Sequence, residues 1–138
     1  MNKEQIEIEI RRYKRYVNRS EDAIDNYNAK IRKLEKEYDQ ATTAGNRMQD
    51  HLESYARNVL SALNRLDRDS VFKEYYNQKM RAILEGRERE EFFDRIRKGK
   101  QDILREIDEY ESQIAYERRK ICDYNNKLLR LRQQLNSL

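Results

Sequence analysis

The sequence predicts an all-α fold, a long antiparallel coiled-coil helical hairpin. Apolar residues recur at alternating steps of four and three along nearly the whole chain, which keeps one stripe of an α-helix facing a partner helix. Proline is absent and glycine occurs only three times in 138 residues, so the residues that break helices are scarce. The best turn signal lies almost at the chain midpoint, so folding there lays one half of the stripe along the other.

The first helix is expected over about 3–66. Its ladder places Ile10, Val17, Ile24, Ile31, Tyr38, Gly45, Leu52, Val59 and Leu66 at heptad position a. Position d holds Ile6, Tyr13, Ser20, Tyr27, Leu34, Ala41, Met48, Tyr55 and Ala62, so only Ser20 and Gly45 are not apolar. A straight helix of this length reaches roughly 90 Å. Tyrosine at so many core positions implies a wide seam with hydroxyls at its rim. Ala41 to Gly45 holds two threonines and a glycine and reads as a thin, flexible stretch of helix, because the phase is unchanged on both sides.

The turn is expected at about 67–70, where the apolar rhythm stops after Leu66 and Asp69 or Ser70 can cap the next helix. Folding there sets residue n opposite residue 139 − n, so Ile10 meets the region of Leu128, and Ile31 that of Asp108. The second helix is expected over about 71–136, with a kink or stutter near 85–92 where the pattern fades between Gly86 and Phe92. Its ladder resumes at Ile96 and continues through Lys100, Ile103, Ile107, Tyr110, Ile114, Glu117, Ile121, Tyr124, Leu128, Leu131, Leu135 and Leu138, broken only by Lys100 and Glu117. The whole chain is expected to be one domain.

The charged fraction of 41% exceeds the hydrophobic fraction of 37%, and mean hydropathy is −1.24. Ordered apolar spacing argues against disorder, since charge-rich surfaces are normal on coiled coils. A narrow stripe leaves no thick core and no enclosed site, so the chain reads as a non-enzyme without cofactor or metal. His51 is the only histidine and Cys122 the only cysteine, which is too few for a metal set of the usual spacing. Cys122 follows Ile121 in the stripe and reads as a half-buried packing thiol. The acidic run Glu106, Asp108, Glu109 and Glu111 reads as a solvated face. No N-terminal apolar run resembles a signal peptide, and no segment approaches the roughly twenty apolar residues that span a bilayer. Cytoplasmic localisation is expected, and export without a cleaved signal peptide fits as well.

Binding residues are therefore the functional candidates. Phe72, Tyr76, Met80, Phe92 and Phe93 concentrate aromatic and soft apolar side chains near the expected turn and read as a surface for a helical protein partner. Ile8 and Leu129 lie off the a/d stripe and extend that surface to a second face, which favours a three- or four-helix assembly with a partner or with a further copy. Arg11, Arg12, Lys14 and Arg15 fold beside Arg118, Arg119 and Lys120 to make a basic pole. Nucleic acid is the weaker reading of that pole, because Tyr13 falls at a core position and is not free to stack on bases. A self-assembling coiled-coil scaffold is the alternative from another class.

The uninterrupted ladders, the turn near Asp69–Ser70, the aromatic-rich tip and the missing signal peptide together resemble the small helical-hairpin accessory proteins encoded with LXG-type toxins of Gram-positive type VII secretion. The resemblance is architectural and covers most of the chain. It implies a bacterial targeting factor or chaperone that binds the long helical N-terminal domain of a toxin, beside a second small hairpin protein. It transfers no functional residue.

Overall fold

In the computed structural model, two long helices pack against each other as an all-α hairpin. The structure describes residues 2–66, 74, 78 and 86–138, with the side chains of 59, 60 and 62–66 outside that description. Helix α1 spans Lys3–Leu66 and helix α2 spans Arg87–Asn136. The turn expected at 67–70 falls outside the described residues, as do Phe72, Tyr76 and Met80.

Both helices are fixed at their ends by local chemistry. Asn2 Oδ1 accepts from the Gln5 amide at 2.9 Å, and Gln5 Oε1 accepts from the Asn2 amide at 3.0 Å. This reciprocal box satisfies amides that the first turn leaves open. A bend at Gly86 precedes α2, and the Gly86 carbonyl accepts from Glu90 at 3.2 Å. Glu88 and Glu90 then place negative charge at the positive end of α2. Within the described part of the expected interruption near 85–92, Gly86 is a bend and α2 is unbroken from Arg87 onward, through Gly99. Likewise α1 runs without a break through Ala41–Gly45. Thr42 turns its Oγ1 back to the Tyr38 carbonyl at 3.1 Å, a local bond that a helix tolerates.

The chain divides into two compact units. The first comprises Met1–Glu35 and Arg105–Leu138. There the heptad frame describes the seam. Ile6, Ile10, Ile31 and Leu34 are buried from α1, and Ile107, Ile114, Leu128 and Leu131 from α2. Ile6 (2% exposed) and Leu131 (1%) are the deepest, with Ile10 and Leu128, and Tyr13, Val17 and Leu135 pack around them. Tyr13 meets Tyr124 with ring centroids 6.0 Å apart, and Tyr27 meets Tyr110 at 5.7 Å. Cross-helix partners sum to 137–140 in residue number, which is the antiparallel register expected of a hairpin.

The two polar interruptions in this unit are accommodated differently. Ser20 is buried, a small side chain where a large one would hold the helices apart. The Glu117 side chain is mostly covered and accepts from Lys120 Nζ at 3.4 Å, so its charge enters the seam region paired. Lys30 extends its ammonium over Tyr27 (6.0 Å) and Tyr110 (5.4 Å), covering that tyrosine pair with a cation.

The second unit is Lys36–Leu104. Its register is again antiparallel: Tyr38 faces Lys100, Gly45 faces Ile96 and Gln49 faces Arg89. The covered stripe of α1, however, shifts within the heptad. Met48 (37% exposed) and Tyr55 (46%), both expected in the core, point outward, while Ala56 is buried and Gln49 half-buried. The covered positions Tyr38, Thr42, Gly45, Gln49, Leu52 and Ala56 keep the alternating steps of four and three: position a stays in place, and Thr42, Gln49 and Ala56, each one residue after an expected d position, supply the second row.

Leu131 and Leu129 are the same residue type two positions apart, one buried and one exposed. Leu131→Ala is expected to cost about 2–5 kcal/mol in urea unfolding at low protein concentration. Leu129→Ala should stay within about 0.5 kcal/mol.

Candidate functional site

A groove in the second unit is lined by Phe93, one of the two aromatic candidates that the structure describes. Tyr38, Phe93, Ile96 and Leu104 give it apolar walls, Thr42 and Gly45 line its floor, and Gln49, Arg97, Lys100 and Gln101 complete the rim around a space of about 440 Å³. No carboxylate lines it. Phe92 and Phe93 are half-buried and meet edge to face at 5.3 Å. Lys100, which breaks the second ladder, avoids the seam by placing Nζ 4.7 Å from the Tyr38 ring centre.

Sequence reasoning missed Arg89 and Gln49. The Arg89 guanidinium lies 5.1 Å from the Phe93 ring centre and donates through Nη2 to Gln49 Oε1 at 2.8 Å. Gln49 Nε2 in turn donates to Glu53 Oε1 at 3.0 Å. Arg89 Nε is buried with no hydrogen-bond partner among the described residues. The signal was available: Arg89 stands seven residues before Ile96 and four before Phe93, so the second ladder extends backward through a charged residue.

The basic pole is brought together within the first unit. Arg11, Arg12, Lys14, Arg15, Arg118 and Arg119 are exposed, and Lys120 is half-buried. Tyr16 closes on Tyr13 (5.6 Å) and Tyr124 (5.4 Å), so three rings cluster at this level and Tyr16 is as engaged as Tyr13. Arg12 Nε donates to the Tyr16 hydroxyl at 2.6 Å, and this bond, with the charge of Glu9, holds the Arg12 guanidinium above its ordinary pKa. Desolvation alone would lower Lys120, but the hydrogen bond and charge of Glu117, with Tyr116 and Tyr124, leave it raised. A raised amine is linked to folding in one direction: the contribution of Lys120 is complete at neutral pH and is lost only on alkaline titration above the usual lysine range.

Ile8 and Leu129 are both exposed, at 52% and 56%, in the first unit. Cys122 is exposed rather than half-buried. One residue along a helix turns the side chain by about 100°, which carries Cys122 out of the stripe that Ile121 occupies. His51 is exposed as well. Among the described residues no group of three or more His, Cys, Asp or Glu is placed to hold a metal ion, and no helix is long and apolar enough to cross a membrane. Compared with protein-family models, curated proteins and solved structures, the chain shows no significant match to any of them.

Gly45 and Gly99 are helix-interior glycines with room for a methyl group. A Cβ at Gly45 would stand 3.6 Å from Ile96 Cδ1, an ordinary contact, and one at Gly99 would meet nothing within 4 Å. Gly45→Ala and Gly99→Ala are each expected to raise the unfolding free energy by about 1 kcal/mol, measured by urea denaturation. Gly45→Ala should also narrow the groove.

Proposed function

We propose that this chain is a non-catalytic helical adaptor or targeting chaperone that seats a helix of a partner protein in the groove beside Phe92 and Phe93. The groove itself is the observation that carries the reading. It is open, walled by half-buried apolar rings, and bordered by hydrogen-bond donors from Arg97, Lys100 and Gln101 without a carboxylate. An apolar anchor on a helix, flanked by acidic residues, matches that lining. The resemblance to the hairpin proteins of LXG-toxin operons points to a partner of the required shape, the long helical N-terminal domain of an exported toxin, bound together with a second small hairpin protein. In this reading the adaptor works in the cytoplasm, before export.

The test is recovery of partners on tagged full-length chain from its native host, after nuclease treatment, with identification by mass spectrometry. The expected result is a toxin with a long helical N-terminal domain. Phe92→Glu with Phe93→Glu should lose that partner while circular dichroism keeps its helical signal. Retention of the partner by this variant, or collapse of helicity, would remove these rings from the binding surface.

A further inference from the structure

Charge is segregated along the first unit in a way that neither the seam nor the groove uses. Residues 1–20 and 118–138 carry twelve basic and four acidic side chains, a net +8. Residues 21–32 and 106–117 carry eight acidic side chains and two basic ones, Lys30 and Arg32, a net −6. The antiparallel register sets the two members of each set at one level. Tyr13 and Tyr16 meet Tyr124 inside the basic set, and Tyr27 meets Tyr110 inside the acidic set. The first unit thus wears two adjoining belts of opposite charge. Along the helices the belts extend roughly 30 Å and 18 Å at 1.5 Å per residue, both longer than the Debye length of about 8 Å at physiological salt. They therefore act as separate fields and do not average to a neutral surface.

Internal ion pairs leave most of these charges available. Among the described residues, the pairs within the belts are Arg12 with Glu9 and Lys120 with Glu117. Arg11, Lys14, Arg15, Arg19, Arg118 and Arg119 form none, nor do the exposed carboxylates of the acidic belt. Apolar side chains stand exposed in both belts: Ile8 and Leu129 in the basic one, Tyr116 in the acidic one.

We propose that these belts pair a second copy of this chain with the first, side by side and antiparallel, the basic belt of each copy lying on the acidic belt of the other. A two-fold axis near the belt boundary, between residues 20 and 21 on α1 and between 117 and 118 on α2, makes the surface self-complementary and the assembly closed. Exposed ion pairs are individually weak. As two matched fields they select the partner and set the register, while Ile8, Leu129 and Tyr116 add apolar contact. Nucleic acid fits less well, because a negative field adjoins the basic belt and the rings of Tyr13, Tyr16 and Tyr124 already occupy one another. The charges that drive this pairing lie in the first unit.

Sedimentation equilibrium on nuclease-treated full-length chain tests it. A dimer is expected at about 50 mM NaCl, with a dissociation constant that rises at least tenfold at about 500 mM. Two charge-reversed variants extend the test: Arg11→Glu/Arg15→Glu/Arg19→Glu, and Glu21→Lys/Asp22→Lys/Asp25→Lys. Each alone should self-associate at least about tenfold more weakly than the parent, and a one-to-one mixture should associate more tightly than either alone. Circular dichroism establishes that both variants keep the parent's helicity. The proposal is overturned by a parent chain that stays monomeric at low salt, by association indifferent to salt, or by a mixture no tighter than its components. A monomer that instead binds a single-stranded oligonucleotide with steep salt dependence would assign the basic belt to nucleic acid.

Discussion

The antiparallel register of the two helices is the constraint on which the rest depends. Each helix has a narrow apolar stripe, and neither stripe can be buried except by the other or by a further chain. Both compact units carry this register independently, with facing residues that sum to 137–141. Tyrosine suits such a seam. Its ring fills the gap between helices while its hydroxyl reaches the rim, so Tyr13 with Tyr124 and Tyr27 with Tyr110 span the interface without burying an unsatisfied group. Lysines complete the arrangement: Lys30 and Lys100 lay their ammonium groups over ring faces and remain in contact with water.

The two units use the same register to different ends. In the first, the heptad frame holds and aliphatic residues close the seam around Ile6 and Leu131. In the second, the covered stripe moves from Met48 and Tyr55 toward Gln49 and Ala56, and polar residues enter. Gly45 removes a side chain where the seam would otherwise close, and Arg89 brings a guanidinium onto Phe93 and Gln49. An open groove is the physical consequence of those substitutions of small and charged residues for large apolar ones. The unit with the weaker seam is the one that carries the candidate partner site.

Much of the hairpin was legible in the residues themselves. Ladder spacing identified the seam of the first unit almost position by position, and the near-midpoint turn signal gave the register, because both follow from local periodicity. The exposure of Met48 and Tyr55 was not legible, since a stripe through Gln49 and Ala56 has the same four-and-three spacing and residue type favoured Met48 and Tyr55. Cys122 was misplaced for a related reason: adjacency to a buried residue in sequence means separation by about 100° on a helix. Arg89 stood on the extended ladder but was passed over because a charged residue does not announce a seam position. The charge belts were invisible as belts, although every charge was in view, because only the register places residues 106–117 beside residues 21–32.

Cross-linking within the first unit tests the register most directly. In a Cys122→Ser background, Tyr13→Cys with Tyr124→Cys supplies a pair whose parent rings lie 6.0 Å apart. Tyr13→Cys with Tyr110→Cys supplies a pair that the register separates. With a short thiol cross-linker at dilute chain concentration, the first pair should give an intrachain product and the second none. Equal reaction of both pairs, or a product formed only between chains, would contradict the antiparallel hairpin on which the account is built.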